Sequence, residues 1–267
     1  MTGPDMPLRE FVSRTHELAI ADSSRAWLEA MFDAGAVEAS AAAGEWSNTT
    51  LVAGAHHGEG ELSGGRLTGR WSSVVGARYA DWLVLPARHS AGCRVLIPRD
   101  RVTVDARDGG AGLADAAASD VAVDAGHILA TTHDGSVLAA TGAAAAVAGS
   151  ARGLLRRHVE QLRSHLAAYH GGTTADSEAA SVARAASDID AAELQLTESA
   201  PAQAALEPTV WVCRQVVARA RSAADLLLEH SRHALDADDP VTRRWCDVDA
   251  GARLAVRMFD DLTASLR

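Results

Sequence analysis

The 267-residue sequence predicts an α+β, multi-domain chain with short N-terminal helices, a small central β-barrel and a C-terminal four-helix bundle. Three observations carry this reading. Alanine fills about a fifth of the chain, and alanine has the highest intrinsic helix propensity. Residues 48–128 instead hold short apolar runs separated by glycines, the texture of strands and turns. Beyond Gly142, apolar residues recur every three or four positions in four separate stripes.

Taken in order, 7–20 and 23–43 read as two helices, with Trp27, Met31 and Ala34 on one face and Asp22 or Ser23 as the N-cap of the second. Six runs follow as strand candidates: 51–55, 62–71, 82–86, 94–98, 101–104 and 121–128. Gly64-Gly65, Gly76, Gly92 and Gly109-Gly110 punctuate them. The first bundle stripe is Leu155, Val159, Leu162, Leu166 and Tyr169, and the second is Val182, Ala185, Ile189, Ala192 and Leu196. Cys213, Val217, Ala220, Ala224 and Leu227 form the third, and Val248, Ala252, Ala255, Phe259 and Leu262 the fourth. Polar breaks at 171–176, 199–208 and 235–242 contain cap-like Thr173, Pro208 and Asp239-Pro240. The expected division is a truncated helical segment at 1–47, a β-barrel domain at 48–130 and a bundle domain at 140–267.

Charge and composition exclude several classes of function. All 25 basic residues are Arg against 35 acidic ones, for a net charge of −10. An acidic chain is a poor non-specific ligand for nucleic acid or anionic membrane. With no Lys there is no Schiff-base or P-loop lysine chemistry. Cys93, Cys213 and Cys246 are too few and too scattered for a disulfide framework or a zinc site. The His56-His57 pair points opposite ways in an extended chain, and His158, His165 and His170 read as solvated, so no metal is expected. The N-terminus lacks a signal-peptide pattern, and the apolar run 139–149 is about half a membrane span. A soluble, cytoplasmic protein is expected.

Several segments together resemble the acyl-CoA dehydrogenase superfamily, in the branch of two-component flavin-dependent monooxygenases. The segment from Leu67 to Pro86 (LTGRWSSVVGARYADWLVLP) is similar to its central strand pair. Arg94–Val102 is similar to the next hairpin, Asp120–Leu129 to the strand leading into the bundle, and 233–253 to the start of the final helix. The resemblance spans about residues 20–262 and implies a flavin, FAD or FMN, between barrel and bundle. It also implies a homo-oligomer (dimer or tetramer), a small-molecule substrate and a flavin reductase as partner. The small-residue face Gly142, Ala146, Gly149 and Gly153 is a candidate for close helix contacts in that oligomer.

On this resemblance, Trp71, Ser72, Ser73 and Gly76 are the candidate flavin contacts. The departures are equally informative. Val75 stands where the family usually has a hydroxyl. Leu254 stands where the monooxygenases often carry His, and Ala255 where the dehydrogenases carry their Glu base. The N-terminal region is several helices short of the family's first domain, which supplies one wall of the substrate site. Arg232, His233 and Asp247 remain as candidate catalytic residues. Three readings follow: a flavin-linked oxidoreductase or monooxygenase component with an atypical site, a non-catalytic partner of a longer homologue or a small-molecule binding protein, or a flavin-free enzyme such as a cyclase or hydrolase that uses Arg232, His233 and Asp247.

Overall fold

A computed structural model describes residues 6–40, 49–56, 58–88, 93–106, 112–113, 119–125, 129–131, 135–168, 176–199, 205–231 and 236–264. Helices α1 (Leu8–Ala21) and α2 (Ser23–Ser40) come first. The Asp22 carboxylate accepts the Arg25 N–H at 3.0 Å and so caps α2. Eight strands follow: β1 (Val52–Gly54), β2 (Gly58–Ser63), β3 (Arg66–Val74), β4 (Trp82–Ala87), β5 (Cys93–Pro98), β6 (Val102–Ala106), β7 (Ser119–Ala125) and β8 (Leu129–Thr131). Four long helices complete the chain: α3 (Ser136–Ala168), α4 (Asp176–Ser199), α5 (Leu206–Glu229) and α6 (Pro240–Ala264).

The strands form two four-stranded sheets, ordered β1-β4-β5-β8 and β2-β3-β7-β6. Among the described residues the expected small β-barrel is two sheets that do not close into one continuous barrel. They are stitched at one corner, where Arg88 N–H donates to Gly60 O at 2.7 Å and Leu62 N–H to Arg88 O at 3.2 Å. Between them lie Leu67, Trp71, Leu83, Leu85, Val95, Ile97 and Val121, all at most 1% exposed.

The run expected as one strand over 62–71 is a hairpin. Gly64 and Gly65 adopt φ of +58° and +77°, which glycine reaches without steric cost, and they turn β2 into β3. Strand β2 (GEGELS) has little apolar signal of its own. Trp71 lies across it, and a Cβ at Gly58 or Gly60 would collide with the indole. Glycine is there because the ring is.

The second, third and fourth helical stripes face one core, whereas of the first only Leu155 is buried and Val159 packs against that core, with Leu162 and Leu166 half-buried; α3 instead buries its earlier, alanine-rich turns. Ala185, Ile189, Ala192, Cys213, Val217, Ala220, Ala224, Leu227, Val248, Ala252, Ala255, Phe259 and Leu262 are buried. Tyr169 of the first stripe lies outside the described residues. Asp239 caps α6: its carboxylate accepts the N–H groups of Val241 and Thr242 at 2.9 Å each, with Pro240 at the first helical position. Helix α3 meets its length-and-apolarity limit for a membrane span, yet 83% of its most apolar window is buried inside the fold. The small face of α3 is consumed within the chain. A Cβ at Gly142 would sit 2.9 Å from the Phe11 ring, and at Gly153 2.6 Å from Ile20 O, both on α1. This face therefore offers no surface to a second subunit.

Candidate functional site

A cleft of about 410 Å³ opens where the bundle meets the first sheet and the end of β3. Trp27 and Met31 of α2 form one wall. Leu254, Arg257, Met258 and Asp261, one continuous face of α6 at spacings of three and four, form the opposite wall. Ser72, Ser73 and Val75 close one end, and Gly54 and His56 line another side.

Strict alternation along β3 would turn either Ser72 or Ser73 away. Both line the cleft because the β3–β7 register shifts between Trp71 and Val74, a β-bulge. Ser73 has φ +58°, an unusual conformation for a residue with a Cβ. Arg257 holds it there, with Nη1 donating to the Ser73 hydroxyl at 2.7 Å.

The other candidates have different places. Trp71 is 1% exposed, and its Nε1 donates to Pro86 O at 2.8 Å, so it is a pillar of the β core behind the cleft. Gly76, at φ +77°, lets the turn pass under α2, where a Cβ would lie 2.7 Å from the Phe32 ring. Asp247 stands outside the cleft. Its carboxylate accepts the Leu113 N–H at 2.9 Å and anchors the connection between β6 and β7 on α6. Burial raises its pKa above the ordinary value, against the lowering pull of the Leu113 N–H, Arg244 and Ser23. Arg232 and His233 lie outside the described residues.

Leu254 lines the cleft, while Ala255 is fully buried in the bundle. Arg253 pairs with Asp249, which also holds Arg221 at 2.8 Å. The α6 residues missed from sequence are Arg257, Met258 and Asp261. They follow Leu254 by three, four and seven positions, so extending its face by two turns finds them.

The strand carrying Gly54 and His56 is braced from behind. Glu38 is 1% exposed and accepts from Arg94 Nε at 2.7 Å, while Arg94 Nη2 donates to Ala55 O at 2.9 Å. A buried carboxylate this deep requires such a partner. On the other side, the Trp27 indole packs on α6 through Gly251, where a Cβ would stand 2.9 Å from Nε1.

The lining pairs an apolar slot with a few polar groups at its ends, the composition of a small-molecule site. Solved structures share this arrangement of helices, sheets and bundle. The HsaA monooxygenase from M. tuberculosis is 20% identical at a TM-score of 0.79, covering 97% of this chain and 83% of that one. The chain has the acyl-CoA dehydrogenase-like fold. The 3-HSA hydroxylase from Rhodococcus sp. RHA1 shares it at 21% identity and a TM-score of 0.76, over 93% and 80% of the two chains. XiaF from Streptomyces sp., solved with FADH2 and glycerol, shares it at 18% identity and 0.78, over 98% and 83%. No protein-family model and no curated protein matches the sequence. Within the acyl-CoA dehydrogenase-like fold, the cleft lies between the β region and the bundle, where the resemblance placed a flavin.

A flavin needs a flat apolar slot with polar groups at its rim, and the residues present fit that need. Trp27, Met31, Val75, Leu254 and Met258 are the slot. Ser72, Ser73, His56 and Arg257 are the rim. The bulge adds backbone groups released from the ladder.

Proposed function

We propose that this chain is the oxygenating component of a flavin-dependent monooxygenase, acting on a small organic substrate with reduced flavin delivered by a separate reductase. The observation that carries the reading is the cleft itself. Its bulged Ser72–Ser73 corner faces the Leu254–Asp261 face of α6, in a fold shared with HsaA monooxygenase and with XiaF, which was solved with FADH2.

Reduced flavin, when bound, supplies the electrons that activate dioxygen. The apolar slot excludes water, which strengthens every polar contact at its rim. The serine hydroxyls and bulge backbone would hold the polar edge of the ring. Arg257, always charged, favours electron-rich partners and keeps the Ser73 corner in place. His56 is the imidazole that lines the cleft and would be its proton-transfer group. It stands on the β side, so no base is required at Leu254 or Ala255.

Anaerobic titration of the protein with reduced FAD and FMN, followed by protein fluorescence, tests the reading. Saturable uptake is expected, and Leu254→Trp, which fills the slot, should abolish it while leaving the circular dichroism unchanged. A protein that takes up neither redox state of either flavin overturns it. The second reading, a non-catalytic partner, draws on Val75, Leu254 and Ala255. Co-purification with a longer homologue, and no oxygen consumption with reductase and NADH, would select it.

A further inference from the structure

A second pocket, open to solvent on one side, lies at the other end of the bundle between α3, α4 and the end of α5. It is lined by His158, Gln161, Leu162, Glu178, His230 and Ser231, among others. His158, expected from sequence to be solvated, is 4% exposed, and neither ring nitrogen has a hydrogen-bond partner among the described residues. The Ser231 hydroxyl is also buried without one among the described residues. Buried polar atoms in native proteins are nearly always satisfied, so this group points to an occupant. The cavity is distinct from the cleft. Gln161 bonds to Asp239 at the start of α6, and Leu254 is 15 residues further on, about 22 Å along a helix at 1.5 Å per residue.

The charge distribution selects the occupant. Glu178 lines the cavity, and Asp239 lies beside it, accepting from Gln161 Nε2 at 2.7 Å. Those carboxylates repel an anion. The same hydrogen bond fixes the Gln161 amide with its donor end on Asp239, leaving Oε1 as an acceptor. Burial lowers the His158 pKa, with the pull of Glu178 acting the other way, so the imidazole is neutral and keeps a lone pair at neutral pH. The cavity therefore presents three acceptors: the Glu178 carboxylate, the His158 lone pair and Gln161 Oε1. A bare metal ion is a poorer match, because no group of three His, Cys, Asp or Glu among the described residues is arranged to hold one.

We propose that this cavity is a binding site for a small organic ammonium, its N–H groups shared among Glu178, His158 and Gln161 and its short apolar body against Leu162. The site is independent of the flavin reading, since it uses none of the cleft residues. Butylammonium is a suitable probe, with butyrate and butanol as controls of equal length. Calorimetric titration at pH 7.5 should show one butylammonium per chain and no binding of either control. His158→Leu and Glu178→Gln should each weaken it about tenfold or more, the scale of a hydrogen bond to a charged group. Glu178 is only half-buried, so that variant keeps the test valid if the His158 variant fails to fold. No uptake of butylammonium, equal binding of butyrate or butanol, or undiminished affinity in Glu178→Gln would each overturn the proposal. Flavin uptake should be the same in both variants as in the parent, which separates failure here from failure of the proposed function.

Discussion

Arg257 and Ser73 lie 184 residues apart in sequence and share a hydrogen bond of 2.7 Å, Nη1 to hydroxyl. It ties the last helix to the bulge of β3 across the mouth of the cleft. Ser73 sits in the left-handed region, which costs a residue with a Cβ roughly 1–2 kcal/mol.

Two substitutions separate the strain from the contact. Ser73→Ala keeps the strain and loses the hydroxyl; Ser73→Gly loses both. Thermal melts should therefore rank Ser73→Gly above Ser73→Ala by about 1 kcal/mol. Both should weaken flavin uptake, and Arg257→Ala should weaken it similarly with little change in the melt, because the contact is exposed.

Gly149 allows α1 to lie directly on α3. A Cβ there would strike the His16 carbonyl, which is backbone and has no rotamer to give. Alanine gains about 1 kcal/mol of helix propensity, and the forced separation costs about 1–3 kcal/mol. Denaturant unfolding of Gly149→Ala should show net loss of stability. An exposed glycine in a helix would show the reverse.

Glu193 links α4 to α1 and α3. Burial acts to raise its pKa, but hydrogen bonds from His16 at 2.8 Å and from Arg152 at 2.6 and 2.8 Å outweigh this and hold it at about 2, against an ordinary 4.5. A lowered folded-state pKa stabilises above the unfolded value, and that stability is lost as pH falls from about 4.5 towards 2. The contribution is on the order of 3 kcal/mol at neutral pH. Glu193→Gln should be less stable than the parent at pH 7, with the gap closing as acid is added through that window.

Cys213 is 1% exposed inside the bundle, and burial pushes its thiol pKa up to about 12. Its thiolate is scarce at any working pH. Alkylation at pH 8 followed by mass spectrometry should leave Cys213 unmodified in the folded protein and label it fully after denaturation.

Much of this architecture is legible in the sequence, for reasons specific to each part. The bundle stripes repeat at helical period, so Cys213–Leu227 and Val248–Leu262 identify their own buried faces. Asp22 and Asp239 announce helix starts because capping is local chemistry. Strand β2 is different. Its glycines have little β propensity, and it is the pairing with β3, with the Trp71 ring lying over Gly58 and Gly60, that makes the strand. Whether the expected β-barrel closes is decided in the same way. Strand runs reveal their existence, but closure depends on pairing between distant edges.

The candidate site divides along the same line. Ser72 and Ser73 are candidates through the family resemblance of the 67–86 segment, yet their shared direction comes from a bulge defined against β7. Trp71, Gly76 and Asp247 have equally suggestive contexts and serve as a core pillar, a close-packed turn and a loop anchor. By itself the sequence determined the helical periods, the caps, the acidic balance and the lack of a Glu or His at 254 and 255. Only the tertiary structure decided which polar side chains meet. Local propensity acts over a few residues, whereas the contacts Arg257–Ser73, Glu38–Arg94 and Asp247–Leu113 join elements far apart in the chain.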